Sequence, residues 1–229
     1  MTALTHHLED GTAWITIDDG KANAFDHSLI NDLGSTLHQY NQNQSCRSVI
    51  ISGRPRFLSA GFNLDIMKKS KESAVELVEA GGRLMLDLYQ YPKPMILVST
   101  GHAMAMGAIF LFAADYRLGV SGQYKIGLNE SAIGLSLPWI AIELAKDKLA
   151  RKELDRVIAA GEIFDPHKAQ GIGFYDEVCD EASWKEAAKA HAQRLSELDG
   201  PAFAENKRRL RFDTTERLKK MLEDKGGFW

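Results

Sequence analysis

The amino-acid sequence predicts a mixed α/β fold built from layers of sheet and helix. Short β-rich runs alternate with amphipathic segments of helical periodicity, which is the pattern of such folds. From Leu137 onward the helical pattern dominates. We therefore expect a sheet-containing N-terminal body followed by a helical C-terminal third, without an internal repeat, a low-complexity tract or a flexible linker.

Four strands are predicted from short apolar runs that end at turn residues. The first run is closed by the turn Asp18–Gly20, and the second is broken by Gly53–Arg56. The third run follows two prolines, and the fourth follows an apolar helical segment. The predicted strands are Trp14–Ile17, Ser48–Ser52, Met95–Val98 and Tyr116–Val120.

Three helices are predicted ahead of the C-terminal third. Ser28 is the expected N-cap of a helix whose leucines, spaced four residues apart from Leu29 to Leu37, share one face. A long helix over Glu72–Tyr91 is stopped by the prolines that follow it. The segment Gly107–Ala114 is apolar throughout, which predicts a buried helix.

Composition and charge exclude several classes of protein. With 229 residues, 45% of them apolar, the chain can bury one substantial core. A net charge of −3 does not favour nucleic acid or a membrane surface as a partner. The apolar stretch Ala103–Ala114 is shorter than the roughly 18 residues that a membrane span needs. Cys46 and Cys179 are too few for a disulfide framework or a metal site, and no signal peptide is visible. We expect a cytoplasmic protein without a metal.

Two turns of small residues can present backbone N–H groups to a ligand. Ser59–Phe62 leads into a predicted helix, and Gly101–Gly107 leads into the apolar helix that follows it. Free N–H groups and the helix dipole at such a junction bind oxyanions and phosphates alike. A tight strand-to-helix connection without a ligand explains each turn equally well when it is considered alone.

Glu130 is an acidic residue in an apolar setting, within the segment Ile126–Glu130. Two backbone N–H groups that point at one oxygen and one carboxylate suffice to form an enolate and to protonate it again. The N–H groups stabilise the oxyanion, and the carboxylate accepts and returns the proton. The sequence thus indicates proton transfer beside a carbonyl. A solvated turn glutamate is the alternative.

Four segments together carry a resemblance to a known family. They are Lys21–Phe25, Phe57–Leu64, Gly101–Gly107 and Ala114–Arg117, and their order and spacing resemble the crotonase (enoyl-CoA hydratase/isomerase) superfamily from about Ala13 to Val178. Within it, Asp115–Arg117, Tyr124–Glu130 and Leu137–Trp139 look most like 3,2-enoyl-CoA isomerases.

The resemblance implies an architecture, a ligand and an assembly. The fold would be a crotonase-like spiral of ββα units over residues 1–195, with a helical C-terminal trimerisation region over residues 196–229. The ligand would be an acyl-CoA thioester used as substrate, without a further cofactor, in fatty-acid β-oxidation. The chain would assemble as a homotrimer or as a hexamer made of two trimers.

The resemblance also implies roles for particular residues. The oxyanion-hole amides fall on Phe62 and Met106, and the proton-carrying acid falls on Glu130. Met106 follows Ala105, whereas many relatives have glycine at both positions. Relatives commonly have aspartate in place of Asn63. The residues expected to bind the acyl-CoA are Lys21, Ala22, Ala24, Ala60, Asn63, Leu64, Met104, Ile109 and Trp139.

The assignment of the reaction depends on one position. Hydratases of this superfamily share the attacking water between two glutamates, and the second of these falls on Ile109. A double-bond shift from C3 to C2 needs only one carboxylate, which takes a proton from C2 and returns it at C4. The prediction is therefore a 3-enoyl-CoA to 2-enoyl-CoA isomerase. The alternatives are an enoyl-CoA hydratase with a single acid and a noncatalytic acyl-CoA-binding paralogue.

One feature of the helical tail allows two interpretations. Phe203 and Lys207 could reach the phosphate or adenine of CoA across a subunit boundary. A plain amphipathic helix explains both residues equally well.

Overall fold

The computed structural model describes residues 3–223 and contains two β-sheets of different size. The strands are β1 (Leu4–Glu9), β2 (Thr12–Ile17), β3 (Ser48–Gly53), β4 (Arg56–Ser59), β5 (Met95–Ser99), β6 (Gly101–Met104), β7 (Tyr116–Val120), β8 (Ile126–Gly127) and β9 (Glu177–Cys179). The larger sheet has the order β1-β2-β3-β5-β7-β9, and the smaller has the order β4-β6-β8.

Helices of very different length connect and cover these sheets. They are α1 (His27–Gln42), α2 (Leu64–Lys69), α3 (Lys71–Tyr89), α4 (Met106–Leu111), α5 (Trp139–Lys148), α6 (Pro166–Ile172), α7 (Trp184–Ser196), α8 (Gly200–Leu210) and α9 (Phe212–Glu223). Short 3-10 turns occur at Glu130–Ile133 and Arg151–Glu153, and a π turn occurs at Asp155–Ala159.

Successive strand pairs are divided between the two sheets. In β3/β4, β5/β6 and β7/β8 the first strand joins the large sheet and the second joins the small one, and helical structure follows. All neighbours are parallel except β1 and β2. The repeated unit is therefore ββα wound into a spiral, which confirms the predicted fold class.

The hydrophobic core lies where the central strands meet the helices. Every residue of β3 and β5 is buried, as expected for strands covered on both faces. The predicted apolar face of α1 is also buried, with Leu29, Leu33 and Leu37 exposed by at most 4%. All four predicted strands and all three predicted helices coincide with observed elements, apart from their ends.

Five strands were not predicted from the sequence. Most residues of β1 are exposed, so this edge strand lacks the apolar alternation that marks a half-buried strand. β4 and β6 have only four residues each, and β8 and β9 are shorter still. The segment Gly101–Met104 was interpreted as part of a turn, and it is in fact a strand of the small sheet.

The predicted helix boundaries need three corrections. Asp26, not Ser28, is the N-cap of α1, because its carboxylate accepts the Leu29 N–H at 2.9 Å. The long helix ends at Tyr89 rather than Tyr91. The apolar helix runs from Met106 to Leu111 and not from Gly107 to Ala114.

The C-terminal helices are tied to the body by buried ion pairs. Lys207 of α8 donates to Asp115 at 2.7 Å, and Arg211 contacts the other oxygen of the same carboxylate at 2.9 Å. α9 packs against α3 and α5. The predicted boundary at residue 195 falls in the last turn of α7 and stays a prediction. Residues 224–229 of the predicted helical region lie outside the described residues.

Across residues 3–223, the helices are too short or too polar to cross a bilayer.

Candidate active site

The small sheet brings three loops to one edge. Its strands are parallel, and the register pairs Ser59 with Ala103 and Met104 with Gly127. The carboxyl ends of β4, β6 and β8 therefore lie side by side. Because each predicted site segment follows one of these strands, the loops that carry Phe62, Met106 and Glu130 all leave the same edge.

The backbone N–H of Phe62 is not hydrogen-bonded to Phe25, its neighbour in a parallel bridge. Phe25 donates its N–H to Gly61 at 2.8 Å and accepts the N–H of Asn63 at 2.9 Å. In a parallel bridge these two bonds flank the partner residue, so the N–H of Phe62 itself points away from Phe25. This amide is available to an external acceptor.

The amide of Met106 is available for a different reason. Met106 is the first residue of α4, so its N–H has no intrahelical acceptor. The preceding residue, Ala105, has φ 51° and ψ −124°, a backbone conformation that favours glycine. The N–H of Ala105 donates to Gly127 at 3.0 Å, which ties this strained turn to β8.

The two amide turns are in contact with each other. A Cβ placed on Gly61 would lie 3.0 Å from the Cβ of Ala105 and 3.7 Å from the N of Met106. A Cβ placed on Gly107 would lie 2.4 Å from the carbonyl oxygen of Ser59. Close packing thus requires glycine at position 107, and the φ of 109° favours glycine at position 61. The packing holds the two predicted donors in adjacent turns.

Glu130 is a buried acid whose environment favours the neutral form. It is 8% exposed, and its Oε2 has no hydrogen-bond partner within residues 3–223. Burial raises the pKa of its carboxyl above the ordinary value, and a hydrogen bond from its own backbone N–H lowers it to a smaller extent. A carboxylate with a raised pKa and an unused oxygen is suited to accept and return a proton.

Because position 109 is isoleucine, helix α4 contains no carboxylate. The helix reads MGAIFL, and Ile109 itself is 3% exposed. The helix that begins with the second amide donor is therefore apolar along its whole length.

The loop of residues 21–24 is joined to the first amide turn. The carbonyl of Ala22 accepts the N–H of Ala60 at 2.9 Å. Lys21 is exposed, while Ala22 and Ala24 are partly exposed. The structure thus brings the predicted CoA-binding residues of these two loops together.

The remaining predicted binding residues differ in their exposure. Asn63 caps α2 by accepting the N–H of Asp65 at 3.0 Å, so its side chain has a structural task. Leu64 is 59% exposed and Trp139 is 46% exposed. Trp139 is the first residue of α5 and is not a packed core residue. Met104 is partly buried at the end of β6.

Asn23 is a residue whose importance was missed. It is fully buried at φ 52°, and its Nδ2 donates to the carbonyls of Ile17 at 2.8 Å and Leu58 at 3.1 Å. It therefore holds the loop of residues 21–24 against β4. The sequence signal was an asparagine just after the turn Asp18–Gly20, where the left-handed conformation is common for this residue type.

The side chains of His102 and Lys207 each form a hydrogen bond within the chain. The Nδ1 of His102 accepts the backbone N–H of Lys125 at 2.9 Å, and burial, with the charges of Arg56 and Lys125, lowers its pKa. Lys207 is 7% exposed and donates to Asp115 within the same chain, and its contact with CoA across a subunit boundary stays a prediction.

Comparisons with known proteins agree with this fold and identify a family. The enoyl-CoA hydratase/isomerase family matches the chain over residues 7–226. A solved structure of an enoyl-CoA hydratase/isomerase family protein from Pseudomonas syringae is 35% identical with a TM-score of 0.95, covering 99% of this chain and 98% of that one.

Two curated proteins with different names are also similar. A probable enoyl-CoA hydratase of Bacillus subtilis is 28% identical over 207 residues, or 89% of this chain and 80% of the relative. Mitochondrial enoyl-CoA delta isomerase 1 of Rattus norvegicus is 25% identical over 218 residues, or 94% of this chain and 75% of the relative.

Proposed function

The chain belongs to the enoyl-CoA hydratase/isomerase family, and we propose that it moves the double bond of a 3-enoyl-CoA to C2. The observation that carries the proposal is the buried acid Glu130, whose Oε2 lacks a hydrogen-bond partner within residues 3–223. The similarity to a rat enoyl-CoA delta isomerase, 25% identical, is compatible with it, but a probable hydratase is 28% identical. The chemistry of the site therefore decides the proposal.

The proposed reaction passes through a dienolate. The N–H groups of Phe62 and Met106 donate to the thioester oxygen, and Glu130 removes a proton from C2. The electrons of the broken C–H bond move onto the thioester oxygen, so the two donors strengthen their hydrogen bonds as the charge develops. Each donor is worth about 3 kcal/mol in comparable oxyanion holes. Glu130 then returns the proton at C4, and the double bond is left between C2 and C3.

The surroundings of Glu130 favour this reaction over hydration. Hydration requires a water molecule that is held and polarised beside C3. The apolar helix α4, with Ile109 buried in it, supplies no second carboxylate for that task. An apolar wall at Ile109 would keep water from competing for the dienolate, and burial of Glu130 raises the pKa of its carboxyl and so its basicity.

The direct test is the absorbance of the conjugated thioester with two substrates. We expect the purified protein to increase this absorbance with a 3-enoyl-CoA and to leave it unchanged with a 2-enoyl-CoA. A decrease with the second substrate would establish hydration instead. CoA-thioester binding without any change in absorbance would favour the noncatalytic alternative.

Glu130→Gln is the matched variant for this test. Glutamine keeps the size of the side chain and cannot carry the proton, so isomerisation should fall to the background rate. Isomerase activity that survives the change would contradict the role of Glu130.

We further propose that the C-terminal region joins several copies of the chain. Three large apolar side chains near the ends of its helices are exposed: Leu198 by 50%, Leu210 by 83% and Phe212 by 50%. Exposed apolar groups of this size favour burial against a partner. Light scattering should give a mass of three or six times 25.5 kDa, and a monomer would contradict the proposal.

A further inference from the structure

Helix α3 contains a pair of glycines that helix propensity alone does not explain. Gly81 and Gly82 lie in the interior of this 19-residue helix, and both are buried. A glycine inside a helix is less favourable than alanine because it loses more backbone freedom on folding. A specific packing requirement must therefore compensate at this site, and at Gly81 it can be identified.

The side chains of both predicted amide donors meet at Gly81. A Cβ placed on Gly81 would lie 2.6 Å from Cζ and 2.7 Å from Cε1 of Phe62, and 3.5 Å from Cε of Met106. Contacts below 3.0 Å are not tolerated by side-chain carbons, so the Phe62 ring occupies the space that any side chain at this position would need. The Met106 methyl lies at ordinary contact distance from the same point.

These contacts add a shared support on α3 to the direct packing between the two amide turns. Phe62 follows β4 and Met106 follows β6, yet the ends of both side chains lie next to Gly81 on α3. Met106 is 3% exposed and Phe62 is partly buried, so neither side chain is free to reorient in solvent. A rigid helix that contacts both residues limits the relative movement of their backbones.

We infer that Gly81 is a positioning residue that sets the spacing of the two amide donors through the side chains of Phe62 and Met106. This inference rests on the proposed function. Gly81 lies far from Phe62 and Met106 in the sequence and has no side chain that could take part in the reaction.

Gly81→Ala tests the inference directly. The new methyl group forces a shift at its contact with the Phe62 ring, and we expect part of that shift to reach the Phe62 amide because the ring is partly buried. Misplacement of a catalytic group by about 1 Å can cost up to 100-fold in rate, so we expect a loss of about tenfold in kcat. KM for the 3-enoyl-CoA should change by less than about twofold, because the donors act mainly on the developing charge.

Gly34→Ala is the matched control. Gly34 is an interior glycine of α1, and the nearest atom to a Cβ placed on it is Leu84 Cδ1 at 4.0 Å. The substitution is the same, and it adds the same helix propensity without a clash. We expect kcat to stay at the wild-type value.

A second substitution separates positioning from general damage to the helix. Leucine at position 62 lacks the distal ring atoms that meet Gly81, so Gly81→Ala combined with Phe62→Leu should recover kcat at least about threefold over Gly81→Ala alone. A double variant no faster than Gly81→Ala would overturn the inference. If Gly81→Ala does not fold, Phe62→Leu alone removes the same contact and should lower kcat; an unchanged kcat would then overturn it.

The two proposals fail in different ways. Absence of turnover by the wild-type protein overturns the proposed isomerase function. Turnover by the wild type together with an unchanged kcat in Gly81→Ala overturns only the role of Gly81. Circular dichroism of each variant identifies those that are folded.

Discussion

The methyl group of Ala105 lies against Gly61. A Cβ on Gly61 would approach the Cβ of Ala105 to 3.0 Å, which is tighter than most such contacts in proteins. Each residue directly precedes one of the predicted amide donors, Phe62 and Met106. The spacing of the two N–H donors therefore depends on the contact between Gly61 and the methyl group of Ala105.

Ala105→Gly should stabilise the fold and lower the rate. Ala105 has a φ of 51°, and such a conformation costs about 1–3 kcal/mol for a residue other than glycine. Glycine removes this strain but gives the unfolded chain more freedom, so we expect a net gain of about 1 kcal/mol in the free energy of unfolding. The turn before Met106 becomes looser, and kcat should fall severalfold. Urea unfolding and steady-state kinetics measure the two effects; a faster enzyme would contradict the role of the methyl contact.

Glu130→Gln should change how stability depends on pH. Because burial raises the native-state pKa of Glu130, the native state holds a proton that the unfolded state has lost at pH values between the ordinary and the raised pKa. The free energy of unfolding of the wild type thus falls as the pH rises through this window. Lowering the pH through the same window restores the stability of the wild type. Glutamine does not titrate, so the variant should gain stability relative to the wild type as the pH increases. Unfolding curves across this range would show parallel profiles if Glu130 were solvated.

The same raised pKa should appear in the kinetics of the wild type. Glu130 must be ionised to accept a proton, so the acid limb of the profile of kcat/KM against pH should lie above the ordinary pKa of glutamate. An acid limb at or below that value would show that Glu130 is not the base.

Ile109→Glu should introduce hydration of a 2-enoyl-CoA. Ile109 is 3% exposed on the helix that begins with Met106, and a carboxylate there could help to polarise a water molecule. The expected result is a slow decrease in conjugated-thioester absorbance that the wild type does not show. Ile109→Gln has a similar polar side chain without the charge and serves as the control. Equal behaviour of both variants would argue that Ile109 does not face the reacting carbon atoms.

Asp115→Asn should destabilise the attachment of the C-terminal helices. The carboxylate of Asp115 forms ion pairs with both Lys207 and Arg211, which are 7% and 5% exposed. Removing one partner of a buried ion pair typically costs about 3–5 kcal/mol, because a charge remains buried without compensation. Denaturant unfolding measures the loss. Glu216→Gln, which breaks an exposed pair with Lys219, should change stability by less than about 1 kcal/mol.

The elements that could be predicted are those with a strong local pattern. β3 and β5 are continuous apolar runs, and α1 has leucines at four-residue spacing, so their identity follows from the side chains alone. β4 and β6 were missed because strands of only four residues are too short to show a periodic pattern. Their pairing in the small sheet is stabilised by partners more than 40 residues away in the chain.

The sequence by itself determined the α/β class, the order of the two amide turns along the chain and the candidate catalytic acid at position 130, because turn chemistry and hydrophobic periodicity are local properties. Only the tertiary structure decided that Glu130 is desolvated, that Gly61 contacts Ala105 and that Gly81 receives the Phe62 ring. It also decided that Lys207 faces Asp115. Burial and contact arise from residues far apart in the chain, and their distances are set by how the helices and both sheets pack together.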